Sequence, residues 1–131
     1  MTSLEILNWV HLLGAAVWTG GLITLAVIVV TLRRAGAGRE ILQAVAHQFG
    51  RVSWIAFGLL VVTGIWQVHQ MGLSWANKRL TLKLTLVILT AGASAIHQFT
   101  ARTMSPAFRG IIQGVILLLS VAVFGTAVWL V

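Results

Sequence analysis

Cysteine and tyrosine are missing from this chain of 131 residues, proline occurs once, and the acidic side chains number only two. Without cysteine there is no disulfide framework, no thiolate metal site, no iron–sulfur cluster and no thiol chemistry. Glu5 and Glu40 are the sole carboxylates, so catalysis by acidic side chains has little to draw on. Charged residues make up 8% of the chain against 59% hydrophobic, where soluble domains carry about 25% charge. No polar stretch is long enough to form a domain outside a membrane, which excludes a soluble-type hydrolase or a nucleic-acid binder. The net charge of +7 does not point to nucleic acid either. The basic residues form no patch with interleaved aromatics; they fall between apolar stretches, as topology signals do. The start, Met1-Thr2-Ser3-Leu4-Glu5, lacks a positive leader region, so the first helix is expected to be retained.

What is present is apolar sequence long enough to cross a hydrocarbon core four times, at about 20 residues per crossing. The first segment runs from about Leu4 to Leu32 and stops at Arg33-Arg34. Ala35 to Gly38 form a turn, and a second helix is expected from about Glu40 to Gln70. Gly72 to Asn77 form a loop before a third helix from about Lys78 to Thr103. Ser105-Pro106 reads as a helix cap followed by proline in the first helical position, and the fourth helix continues close to Val131. Short connections make successive helices antiparallel. The expected fold is therefore all-α, a single integral membrane domain over residues 1–131 built as an up-down four-helix bundle.

The basic residues orient it. Arg33, Arg34, Arg39, Arg51, Arg102 and Arg109 flank the first and third connections, whereas Lys78, Arg79 and Lys83 stand on the other side. The excess puts the arginine-rich side in the cytoplasm and both termini outside. Trp9, Trp66, Trp75 and Trp129 then fall near the outer boundary, where indoles settle. The expected location is the plasma (inner) membrane of a bacterium, with the lipid bilayer as the main partner.

Four histidines, His11, His47, His69 and His97, lie within or at the edges of these apolar helices. Ionisable residues in membrane spans are costly and mark function by default, and imidazole is a common ligand of metals and haem iron. The topology sorts them into an outer layer, His11 and His69, and an inner layer, His47 and His97. Two imidazoles per layer are the minimum for bis-histidine haem ligation or for half of a copper site. His47, Gly58 and His69 are spaced by about three turns each, so they share a face within about 40°, together with Arg51, Trp54 and Ile65. The two histidines are roughly 33 Å apart along the axis, too far to share one cofactor. Lys83, Thr90, Ser94 and His97 fall on one side of the third helix. Lys83 at the level of His11, and Arg51 at that of His47, are the cations that haem propionates require. Plainer readings stand beside these: histidines that only bond a neighbouring helix or are wetted at the interface, a Lys83 that snorkels to the surface, and a Gly58 that permits close packing. Arg102 and Arg109 read as topology residues.

His11-Leu-Leu-Gly-Ala-Ala-Val-Trp18-Thr-Gly20-Gly21 resembles the first-helix signature of the copper resistance D-type membrane domain. Phe49-Gly-Arg51 through Thr63-Gly64-Ile65 is similar to that family's second stretch, and Lys83-Leu-Thr-Leu-Val followed by His97 is similar to its third helix. Arg109-Gly-Ile-Ile-Gln113-Gly114 resembles the start of its last helix, with Gln113 where the family commonly has glutamate. The resemblance spans nearly the whole chain and implies copper uptake or resistance. Similar membrane proteins of the protoporphyrinogen-oxidase type pair a first-helix histidine, also near a Trp-x-Gly, with b-type haem. His11 is the position that both patterns carry over as functional. The replacement by Gln113 removes any role that needs a carboxylate there.

The leading expectation is a membrane protein that carries one or two haem b groups and passes electrons, alone or within a larger respiratory or redox complex. Its ligands would be His11 with His69 and His47 with His97. The alternatives are copper handling, with His11, His69 and Met71 at the outer mouth, and a cofactor-free structural subunit whose histidines brace helices. Gly14, Ala15 and Gly21 form a small-residue face suited to helix contact and hence to homo-oligomers.

Overall fold

The computed structural model describes residues 1–130, with Leu130 by its backbone alone; Val131, toward which the fourth helix was expected to run, lies outside them. The described chain is all-α. Its helices are α1 (Ser3–Arg34), α2 (Arg39–Gln70), α3 (Lys78–Thr100) and α4 (Pro106–Leu130). All four are long and apolar enough to cross a membrane. They form two compact units, 1–73 and 74–131, each a helical hairpin.

The helix ends are set by local chemistry. The Thr2 hydroxyl accepts from the Glu5 N–H at 3.2 Å, and the Glu5 carboxylate accepts from the Thr2 N–H at 2.6 Å, a reciprocal cap at the start of α1. The Asn77 side chain caps α3 by accepting from the N–H groups of Arg79 and Leu80. Ser105 caps α4, its hydroxyl accepting from the Phe108 N–H at 3.3 Å, with Pro106 in the first helical position as the sequence implies. Helices α1 and α2 end in the same way. Gly36 and Gly72 take φ values of +80° and +61°, and the paired bonds Gly36 to Arg33, Ala37 to Leu32, Gly72 to His69 and Leu73 to Val68 close the last turns. Helix α3 stops at Thr100 rather than at the expected Thr103. The Thr100 carbonyl there takes the N–H groups of both Thr103 and Met104 as well as the Thr103 hydroxyl, which tightens the chain out of the helix.

In the first hairpin, His11, Gly14, Trp18 and Leu22 fall on one stripe of α1, and Ala56, Leu60, Thr63 and Gln67 on one stripe of α2. Gly14, Trp18, Leu22, Ala56 and Thr63 are buried. A Cβ on Gly14 would lie 3.2 Å from Leu60 Cγ and 3.4 Å from the Ala56 carbonyl oxygen, and Gly21 faces the Ser53 hydroxyl. Gly14 and Gly21, read from sequence as part of a helix-contact face, thus make that contact within the hairpin. One turn further, Trp18 packs edge-on to Trp54 with centroids 6.2 Å apart, and Phe57 closes the cluster at 5.1 Å from Trp18 and 5.7 Å from Trp54.

In the second hairpin, Leu80 and Thr90 of α3 and Ile116, Ser120 and Thr126 of α4 are buried. The start of α3 is tied to the end of α4 by Arg79, whose Nη1 donates to the Trp129 carbonyl at 2.7 Å while its guanidinium lies 5.8 Å from the Trp129 ring centre. The buried hydroxyls of Thr90 and Ser120 donate back to the carbonyls of Leu86 and Ile116, so neither leaves a donor stranded in apolar surroundings.

Gly14→Leu is expected to destabilise the first hairpin by about 1–3 kcal/mol through overpacking. Gly20→Leu, where a Cβ meets nothing within 4 Å, serves as the control and should be near neutral. Reversible denaturant unfolding in micelles compares the two.

Candidate functional site

His11 sits half-buried on the α1 stripe that packs against α2. Its Nδ1 lies 2.7 Å from the Thr63 hydroxyl oxygen. That hydroxyl has one hydrogen and also lies 2.7 Å from the Leu59 carbonyl and 3.3 Å from the Leu60 carbonyl. When the hydrogen goes to Leu59, Thr63 accepts from His11 and Nδ1 carries the proton. In a neutral imidazole the lone pair is then on Nε2, the arrangement found where a histidine ligates through Nε2 and is oriented through Nδ1.

Gly64 completes the seat. A Cβ at that position would lie 3.3 Å from His11 Cε1 and 3.9 Å from Nδ1, so the missing side chain is what admits the ring edge-on to α2. Beyond the ring, Gln67 Nε2 donates to Asn8 Oδ1 at 2.7 Å and clasps the two helices. Ser3, Ile6, Leu7, Val10 and Trp66 line a shallow apolar groove toward the same end.

The other predicted residues of this hairpin lie elsewhere. His69 is exposed in the last turn of α2. It is six residues beyond Thr63, roughly 9 Å along the axis and about 120° around the helix. The hairpin therefore does not bring His69 to the His11 ring. His47 and Arg51 are exposed one turn apart on α2, and Gly58 and Ile65 are exposed on the same face, which is turned away from α1 as their spacing implies. Trp54 departs from that face to pack on Trp18.

In the second hairpin, Lys83, Ser94 and His97 are half-buried on the α3 stripe that includes buried Leu80 and Thr90. The side the sequence assigned to Lys83, Thr90, Ser94 and His97 is thus the side facing α4. Arg109, read from sequence as a topology residue, is half-buried, with its Nε enclosed. Among the described residues no three histidine or acidic side chains come together as a set able to hold a metal ion.

Sequence reasoning missed Thr63 and Gly64 as partners of His11. The signal was available: His11 and Thr63 are equidistant from Ala37 in the first turn, as are Gly14 with Leu60 and Gly21 with Ser53. A buried threonine facing a histidine across a hairpin follows from that register.

No family model, curated protein or solved structure matches the chain.

Thr63→Val keeps the shape of the side chain and removes its oxygen. In 15N-histidine-labelled protein the wild-type His11 is expected to give the resonance pattern of the Nδ1–H tautomer. Thr63→Val should lose that pattern and Thr63→Ser should keep it.

Proposed function

We propose that this chain is a haem b-binding membrane protein that carries electrons, with His11 as an axial ligand through Nε2. The observation that carries the reading is the 2.7 Å contact of His11 Nδ1 with the Thr63 hydroxyl, which with the Leu59 carbonyl behind it supports the Nδ1–H tautomer. A histidine that merely braced two helices would not need a fixed tautomer or the recess that Gly64 leaves for its ring. When bound, haem supplies one-electron redox chemistry. The residues orient the ligand ring, raise its basicity through the Nδ1–H bond and surround it with apolar helix.

His69, the second imidazole of the sequence reading, lies on the face of α2 turned away from the His11 ring, so joining it on one haem would require the last turn of α2 to rearrange. The proposed setting is the plasma membrane of a bacterium with both termini outside, which follows the arginine excess on the opposite side. It is also where a small redox protein would join a larger respiratory assembly. The resemblance to the copper resistance D-type and protoporphyrinogen-oxidase-type membrane proteins supports His11 and no other position in both patterns. Copper handling is the second reading. Its softest donors, His69 and Met71, are both exposed at the end of α2, where a Cu(I) ion could be received.

Expression with adequate haem followed by optical spectroscopy tests the proposal. The purified protein should show a Soret band and a reduced α band, and His11→Ala should lose most of the bound haem. If His69 is the second ligand, His69→Ala keeps haem but turns a low-spin spectrum high-spin; an unchanged spectrum removes it from the site. Protein purified without these bands, or His11→Ala with full haem content, overturns the reading.

A further inference from the structure

Three polar atoms in the second hairpin are enclosed without a hydrogen-bond partner among the described residues: Ser94 Oγ, His97 Nδ1 and Arg109 Nε. Burying polar groups in this way is costly, and in folded proteins such atoms are nearly always paired. These three are neighbours. Ser94 and His97 are one turn apart on the face of α3 that meets α4, and the antiparallel hairpin brings the last turns of α3 beside the first turns of α4. His97 and Arg109 are equidistant from Thr103 in the connection, so the turn sets them at one level of the hairpin. Arg109 in turn begins the α4 stripe of Arg109, Gln113, Ile116 and Ser120, whose last two members are buried against α3.

Charge makes the arrangement one-sided. From Ser74 onward there is no Asp or Glu, while Lys78, Arg79, Lys83, Arg102 and Arg109 are all cationic. Arg109 also stands in the first turns of α4, where the helix dipole disfavours a cation and favours an anion. Nothing in this hairpin offers it a counter-charge. Its Nε is nevertheless enclosed and the residue half-buried, although a long basic side chain at a helix end readily extends to the surface.

The geometry points to an oxyanion site in which Arg109, His97 and Ser94 bind a phosphate-type group. The arginine nitrogens and the Ser94 hydroxyl are donors, and the His97 ring is one when Nδ1 holds its proton, which is what a group with several acceptor oxygens requires. The level in the membrane fits a headgroup. Helix α3 has 23 residues, roughly 34 Å at 1.5 Å per residue, little more than the hydrocarbon thickness of about 30 Å. His97 is in its last turn, about 12 Å from the helix midpoint, just inside the hydrocarbon edge, from which a long arginine side chain reaches toward the headgroups. Arg102, exposed in the connection, lies outside the enclosed set. The proposal is independent of haem.

Native mass spectrometry of the purified protein in mild detergent tests it, with three additions: phosphatidylglycerol, phosphatidylcholine and inorganic phosphate. Wild type is expected to retain an anionic adduct that Arg109→Gln weakens by about tenfold or more, the loss of a charge-assisted bond, and that Arg102→Gln leaves intact. Retention of phosphatidylglycerol alone identifies a lipid headgroup, whereas retention of inorganic phosphate identifies a soluble anion. Should Arg109→Gln fail to fold, Arg109→Lys and His97→Asn each carry the test, because both weaken retention if the three side chains act together. Equal retention of phosphatidylcholine and phosphatidylglycerol without a phosphate adduct, or adducts equally strong in the variants and wild type, overturns the proposal.

Discussion

The hydrocarbon interior of a membrane offers no water to a polar group, and this constraint arranges nearly every informative side chain in the molecule. A backbone that must cross it closes its own hydrogen bonds as helix, and polar side chains are left with the helix–helix seam or their own preceding turn. Thr90 and Ser120 take the second route by donating to carbonyls one turn back. Thr63 does both: its hydroxyl lies 2.7 Å from the Leu59 carbonyl within α2 and 2.7 Å from His11 Nδ1 across the seam. One hydroxyl is thus satisfied in apolar surroundings and holds the imidazole in place.

That interaction depends on side chains that are missing. Lipid tails are as apolar as leucine, so helices in a bilayer gain little by hiding apolar surface and instead associate through close approach and packing. Gly14 lets Leu60 and the Ala56 carbonyl close on α1, and Gly64 lets the His11 ring close on α2. One glycine on each helix, a turn apart at the seam, sets the depth at which the ring sits. The aromatic cluster of Trp18, Trp54 and Phe57 fills the seam on the far side of Gly14, where the helices no longer need to be so close.

How much of this could be read from the sequence differs between its levels. The four helices were legible because length and apolarity decide them, and their ends because Thr2 with Glu5, Asn77, Ser105-Pro106, Gly36 and Gly72 are strong local signals. Only the end of α3 was misplaced, where a threonine carbonyl shared by two N–H groups ended the helix before any glycine or proline did. The outward face of His47, Arg51, Gly58, Ile65 and His69 was legible from periodicity. The partners of His11 were not, because periodicity places a residue on a face without saying what faces it. Pairing needs the register of the hairpin, which is fixed by the Gly36 turn. The small-residue face of Gly14, Ala15 and Gly21 was legible as a place of helix contact, but such a stripe shows that something packs closely without saying what. Arg109 was hidden by a habit of inference. An arginine beside a membrane-spanning helix satisfies the positive-inside rule so readily that its half-buried position leaves no trace in composition.

Charge bookkeeping links the two hairpins in chemical terms without reference to their placement. Of the two carboxylates in the chain, Glu5 is spent on the α1 cap, which leaves Glu40 as the one acidic side chain for nine lysines and arginines. Exposed cations can be met by water and by lipid headgroups at little cost. A half-buried arginine with its Nε enclosed is met less readily, because burying a charge is tolerable only when it is paired. The second hairpin holds no acidic side chain to pair with it. The first hairpin meets the same constraint without charge, by setting a neutral hydroxyl, Thr63, against the His11 ring.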